Sequence, residues 1–206
     1  MMADLLAMLV RLATGVSVRE VAGWTGKSCV FFANHASNLD ALVIWAALPK
    51  EIREQTSPVA ARDYWAKNAI RRWISGKIFK AILLNRKGRP EDRSHPLQGV
   101  FDALESGRSI IIFPEGTRNP EGALQNFKPG IFHVRQRFPA SVMIPISLQN
   151  LNRILPKGQW LPVPLIGRIT VHPPLEEIAD ENCGEFLVRA RAAVAMGLQK
   201  DKCNES

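Results

Sequence analysis

Short apolar runs of strand length recur along the chain and are separated by segments with helical signals, and this pattern constrains the fold most. Residues 28–33, 58–61, 81–85, 109–113, 142–148 and 168–172 read as strands. Helices are expected over 38–48, stopped by Pro49, and over 64–77, 90–105, 131–137 and 181–198. Pro90 near the start of one and Gly107 at its stop follow the capping asymmetry of helices. Residues 16–21 alternate partially with period two and read as a half-exposed strand. Strands alternating with helices predict an α/β fold, a layered mixed and partly parallel sheet flanked by helices. The segment 149–166, rich in proline, carries no clear pattern.

The 206 residues are expected to form one domain over 1–206, large enough to bury a full core. No linker or internal repeat divides them. Cys29, Cys183 and Cys203 are odd in number and far apart, which argues against a disulfide framework or zinc knuckle and favours a reducing compartment. No apolar stretch approaches the roughly 20 residues that span a bilayer. The apolar start, within 1–14, reads either as a helix on a membrane surface or as one packed on the core. The net charge is +8, and ten cations against three anions between Arg62 and Arg93 place seven of those charges in one segment. Such a cluster attracts nucleic acid, anionic lipid or a phosphorylated small molecule. Over 64–77, Trp65, Ile70, Trp73 and Ile74 accompany Lys67, Arg71, Arg72 and Lys77, which suits an anionic lipid interface or a core helix with a solvated cationic side.

Two polar turns follow apolar runs. The first, Asn34-His35-Ala36-Ser37-Asn38-Leu39-Asp40, sets a histidine five residues before a carboxylate. On one regular helix those side chains would diverge by about 140°. They can meet if His35 lies in the turn and Asp40 in the first helical turn. Asp40 would then fix the tautomer and leave the other ring nitrogen free to take a proton. Ser37 to Asp40 equally fits a capping box, in which Asp40 satisfies backbone donors; the two roles are compatible. No nucleophile adjoins His35 in a way that suggests a covalent intermediate, so direct activation of a substrate hydroxyl suits it better.

The second turn, Phe113-Pro114-Glu115-Gly116-Thr117-Arg118, puts an acid, a glycine, a hydroxyl and a guanidinium together. Glycine permits close backbone approach and the guanidinium fork suits phosphate oxygens. Glu115 could accept from a ligand hydroxyl or hold Arg118. A plain turn with an internal Glu–Arg pair is the alternative.

Together these turns resemble the glycerolipid acyltransferases, a family that includes 1-acylglycerol-3-phosphate acyltransferases. The family's N-H-x-S-x-x-D block is met by Asn34, His35, Ser37 and Asp40, and its F-P-E-G-T-R block by Phe113 to Arg118. Ile82-Leu83-Leu84-Asn85-Arg86 resembles its second block and Val142-Met143-Ile144-Pro145-Ile146 its fourth, in the family's order. The Phe127-Lys128-Pro129-Gly130 turn is similar as well. The resemblance implies a glycerol-3-phosphate acyltransferase-like fold and acyl transfer from a thioester, acyl-CoA or acyl-carrier protein, to a lipid hydroxyl. It implies that His35 deprotonates the acceptor and Asp40 supports it. Arg86 and Arg118 would hold the acceptor's phosphate, with Glu115, Gly116 and Thr117 shaping that pocket. The acceptor implied first is 1-acylglycerol-3-phosphate, giving phosphatidic acid; another lysophospholipid or a lyso-ornithine lipid is the alternative within the class. Neither a cofactor nor a metal is expected, since His95, His133 and His172 lie apart from any acid or cysteine cluster. Unlike many members, this chain lacks long apolar helices at its start, so membrane access would come from surface elements. The expected place is peripheral, on the cytoplasmic face of a membrane. A non-enzymatic module binding anionic membrane is the competing reading; nucleic acid is disfavoured, because no nucleic-acid motif accompanies the cations.

Overall fold

The computed structural model describes residues 2–15, 17–19, 27–37, 39–61, 80–84, 95–119, 123–151 and 167–199. In chain order the elements are α1 (Met2–Thr14), β1 (Ser17–Arg19), β2 (Cys29–Ala33), α2 (Asp40–Ala47), α3 (Lys50–Glu54), β3 (Thr56–Ala61) and β4 (Ile82–Leu84). They continue with α4 (Gln98–Glu105), β5 (Ser109–Ile112), α5 (Gly130–Arg137), β6 (Val142–Gln149), β7 (Arg168–Val171) and α6 (Cys183–Gln199). The described strands form one seven-stranded sheet in the order β1-β7-β6-β2-β5-β3-β4. All neighbours are parallel except β6 and β7, which run antiparallel. The sheet is therefore mixed and largely parallel, with helices on both faces, as the alternation of elements predicts.

The central strand explains the two cores. Every residue of β2 is buried, and successive side chains of a strand point to opposite faces. Cys29, Phe31 and Ala33 join Ile111 of β5 and the α1–α2 side. Val30 and Phe32 join Ile110 and Ile112 of β5 and the face covered by α4, α5 and α6. Hydrophobic burial of this kind contributes about 25 cal/mol per Å², so the order of the middle strands is set by where two-sided apolar runs can be covered. Pro145, in the middle of β6, has no N–H to donate; its carbonyl accepts from His172 N at 3.0 Å.

On one face α2 lies between the sheet and α1. The buried edge of α1 presents Ala7, Val10 and Thr14, while Leu5, Met8, Leu9 and Leu12 are exposed. Arg11 donates to the carbonyls ending α2, at 2.6 Å to Ala46, 3.4 Å to Ala47 and 3.3 Å to Leu48. A cation there also complements the negative end of the helix dipole. The N-terminal segment is thus a helix packed on the core by one side, with an apolar side left exposed. On the other face α6 packs on β6, and Gly197 allows the close approach of Ser147 and His172.

Most element boundaries fall within two residues of the sequence expectation, and two elements depart further. The helix expected over 90–105 begins at Gln98, because residues 95–97 form a turn in which His95 Nδ1 accepts from Leu97 N and His95 O from Gln98 N. The short α3 has no counterpart among the expected helices; five residues after Pro49 are too few to show a helical period. The expected helix 64–77, residues 90–94 and most of 149–166 lie outside the described residues.

Candidate active site

β2 and β5 are adjacent and parallel, so the turns that follow them emerge at the same edge of the sheet, where α/β folds place their ligand sites. This arrangement brings the two polar turns together. Asn34 leaves β2 buried and pairs with β6 as a backbone residue would: its Nδ2 donates to Leu148 O at 2.9 Å, and its Oδ1 accepts from Leu148 N at 2.8 Å. That pairing fixes the point from which His35 departs.

His35 is held on several sides. Its Nδ1 lies 2.8 Å from Asp40 Oδ2, and its ring stacks on Phe113 with centroids 4.1 Å apart and planes at 16°. The carboxylate only accepts, so Nδ1 is the donor of that bond, and in the neutral tautomer it favours Nε2 is the acceptor. The His35 side chain is 15% exposed while Asp40 is fully buried, which leaves the imidazole reachable and its partner dry. Asp40 Oδ2 also accepts from Ala36 N at 2.7 Å and Ser37 N at 2.8 Å. The capping and imidazole-orienting roles both exist, on one oxygen. Asp40 Oδ1 is buried without a hydrogen-bond partner. Ser37 Oγ accepts from Leu39 N at 3.2 Å, a local turn contact set apart from His35.

The second turn grips the first. Glu115 is 2% exposed; its Oε1 accepts from His35 N at 2.8 Å and its Oε2 from Gln125 N at 3.0 Å. Burial pushes its carboxyl above the usual range, and the two N–H donors pull it back. Asn119 N donates to His35 O at 2.8 Å. Gly116 turns the chain at φ +72°, and a Cβ there would lie 2.8 Å from Lys128 Nζ. Arg118 and Thr117 are exposed, and Thr117 Oγ1 lies 3.4 Å from Gln125 Oε1.

His35, Asp40, Glu115, Gly116, Thr117 and Arg118 therefore occupy one neighbourhood, while Arg86 lies outside the described residues. Glu115, expected in the ligand pocket, has both oxygens on backbone N–H groups. Lys128 is a further cation at this turn; the similarity of residues 127–130 to the family pointed to its segment without assigning it a role. Of the other histidines, His95 stacks on Phe101, His133 is exposed beside Phe132, and His172 Nε2 lies 2.6 Å from buried Ser147 Oγ. A dry carboxylate, an oriented imidazole and neighbouring cations can remove a proton from a hydroxyl on an anionic molecule.

Comparison with known proteins finds both similar sequences and a similar fold. A family model described as Acyltransferase matches residues 16–149. A chloroplastic 1-acyl-sn-glycerol-3-phosphate acyltransferase of Arabidopsis thaliana is 32% identical over 111 residues, covering 53% of this chain and 30% of that protein. The mouse (Mus musculus) 1-acyl-sn-glycerol-3-phosphate acyltransferase alpha is 32% identical over 123 residues, covering 59% and 40%. The chain thus spans well under half the length of these two relatives. The crystal structure of the 1-acyl-sn-glycerophosphate acyltransferase PlsC from Thermotoga maritima shares the fold, with a TM-score of 0.77 at 19% identity, covering 97% of this chain and 79% of that one.

Proposed function

The chain belongs to the acyltransferase family, and from that premise we propose that it moves a fatty acyl group from a thioester to the free hydroxyl of a lysophospholipid. The acceptor that fits best is 1-acylglycerol-3-phosphate, giving phosphatidic acid. It carries both the hydroxyl that His35 needs and a phosphate for the cations nearby. The observation that carries this reading is His35 Nδ1 on buried Asp40 Oδ2 at 2.8 Å, with Nε2 left to take a proton.

In the reaction, Nε2 takes the proton of the acceptor hydroxyl as its oxygen attacks the thioester carbonyl. Asp40 supports the imidazolium that forms. The tetrahedral intermediate collapses, an ester forms, the carbon–sulfur bond breaks and the thiolate leaves, taking up a proton. Arg118 and Arg86 hold the phosphate, Gly116 and Thr117 shape that side, and Lys128 adds a cation at Gly116. Acyl-CoA or acyl-carrier protein is the co-substrate, and the step as written uses no metal or other cofactor.

Among the described residues no helix is long and apolar enough to cross a membrane. The exposed Leu5, Met8, Leu9 and Leu12 recur at helical spacing on α1, which supports seating on a membrane surface; we place that seating peripherally, on the cytoplasmic face. The test is thiol release from acyl-CoA or acyl-carrier protein in the presence of 1-acylglycerol-3-phosphate, with lipid products identified by mass spectrometry. Activity in the wild type should fall by about 10²–10⁴ in His35→Ala. Undiminished activity in that variant refutes the mechanism.

A further inference from the structure

We propose that Glu115 is a positioning residue for His35 and makes no contact with the acceptor. The inference rests on the reading of His35 as the base, and it gives the second turn a task apart from holding phosphate.

Four contacts fix His35, and three come from the segment following β5. Glu115 Oε1 takes its backbone N–H, Asn119 N–H takes its carbonyl, and Phe113 covers one face of its ring. Asp40 supplies the fourth, at Nδ1. Backbone clamps on both sides of the residue determine where its Cα sits; the stacked ring and the carboxylate determine how the imidazole is turned. Glu115 is itself anchored from behind by Gln125 N–H. It ties the base to a strand of backbone ten residues further on.

The residue type follows from the partners. Both groups facing Glu115 are donors, so a carboxylate, which only accepts, satisfies both. Glutamine would offer one acceptor and one donor, setting N–H against N–H on one side. Aspartate keeps the charge but is one methylene too short to reach both. The titratable groups facing Glu115 are His35 and Asp40. Because burial raises the Glu115 carboxyl, its ionisation costs stability as pH rises through that raised value. The two backbone N–H donors offset part of that cost by holding the carboxylate form.

The decisive experiment combines kinetics on Glu115→Gln and Glu115→Asp with nuclear magnetic resonance of histidine-labelled protein. Positioning predicts that kcat falls by about 10²-fold, as a displacement near 1 Å at a reacting centre does. The KM for 1-acylglycerol-3-phosphate stays within about twofold, and the His35 Nδ1–H signal shifts or broadens. A KM raised about tenfold with kcat retained would mean that Glu115 contacts the acceptor, and would overturn the proposal. So would a folded variant with kcat unchanged, or one whose kcat collapses while the His35 signals stay in place. Should neither variant fold, the wild type answers: the His35 amide resonance must titrate with the Glu115 carboxyl carbon, and independence of the two overturns the inference. This last measurement needs no turnover, so a failure of the acyl-transfer reading would not be mistaken for a failure of the positioning one.

Discussion

Replacing Asp40 separates support of the base from support of the loop. Asp40 is fully buried, and one oxygen accepts from His35 Nδ1, Ala36 N and Ser37 N. Asparagine is nearly the same shape and can keep its carbonyl oxygen at that point. Its amide then sits where Oδ1 now lies, a buried place with no partner. Two effects oppose each other there. A buried charge is removed, which saves desolvation, and a buried amide donor is left unsatisfied, which costs about 1–3 kcal/mol. The net loss of stability should be small, about 0–2 kcal/mol by those figures. At 2–4 °C per kcal/mol for a chain of this size, Tm should fall by less than about 8 °C. Catalysis has no such offset. The neutral amide cannot stabilise an imidazolium, so the base loses about 10²–10⁴ in rate, or about 2.7–5.4 kcal/mol of barrier at 1.36 kcal/mol per decade.

Asp40→Ala behaves differently. It strips the acceptor from a buried N–H at Ser37 and a half-buried one at Ala36, and at about 1–3 kcal/mol for each unsatisfied group it should cost about 2–5 kcal/mol. The assay is thiol release under saturating 1-acylglycerol-3-phosphate, paired with thermal unfolding of each variant. Acceptor KM should hardly move, because a fully buried carboxylate touches no substrate. The reasoning fails if Asp40→Asn, folded, keeps kcat within about tenfold of wild type. It also fails if asparagine and alanine destabilise equally, since the backbone acceptor would then count for nothing.

Three further outcomes follow from packing and charge. Asn34→Ala leaves the N–H and C=O of Leu148 without their side-chain partners, so at about 1–3 kcal/mol per group stability should drop by about 2–4 kcal/mol in chemical denaturation, with activity lost alongside. Gly197→Ala would ordinarily stabilise a helix by about 1 kcal/mol, but its Cβ would lie 2.6 Å from Ser147 Cβ and 2.9 Å from His172 Nε2, so overpacking of about 1–3 kcal/mol should lower Tm instead. Glu181 accepts a two-pronged bond from Arg189, 2.7 Å on each side; that bond first, and the charges of Arg189 and Arg135 after it, hold its carboxyl below the usual range against the opposing effect of burial. Its stability contribution is therefore present above the ordinary glutamate value and lost as pH falls through the lowered one. Glu181→Gln should cost about 1 kcal/mol at neutral pH, and the Tm gap from wild type should close on acidification.

What the sequence discloses follows from which interactions carry residue identity. His35 and Asp40 are recognisable because their chemistry is in the side chains and their meeting is local, five positions apart. Spacing alone leaves imidazole contact and capping both open, and in the fold Asp40 Oδ2 makes both, meeting the His35 ring and two backbone donors together. Strand order is different. Nothing in residues 109–113 says that they lie beside β2, and the reversal of β7 against β6 is equally silent; both depend on how apolar faces are covered in three dimensions. Glu115 shows the limit most sharply. Its type and its place beside Arg118 suggested a ligand, yet its partners are the N–H groups of His35 and Gln125, and a backbone donor has no letter in a sequence. A motif built from an acid, a glycine and a cation thus conceals two tasks. Thr117 and Arg118 are exposed, while the buried Glu115 is turned to the backbone of His35. Separating them takes burial and donor direction, which is why the same six letters, Phe113 to Arg118, support a pocket reading in sequence and a clamp in space.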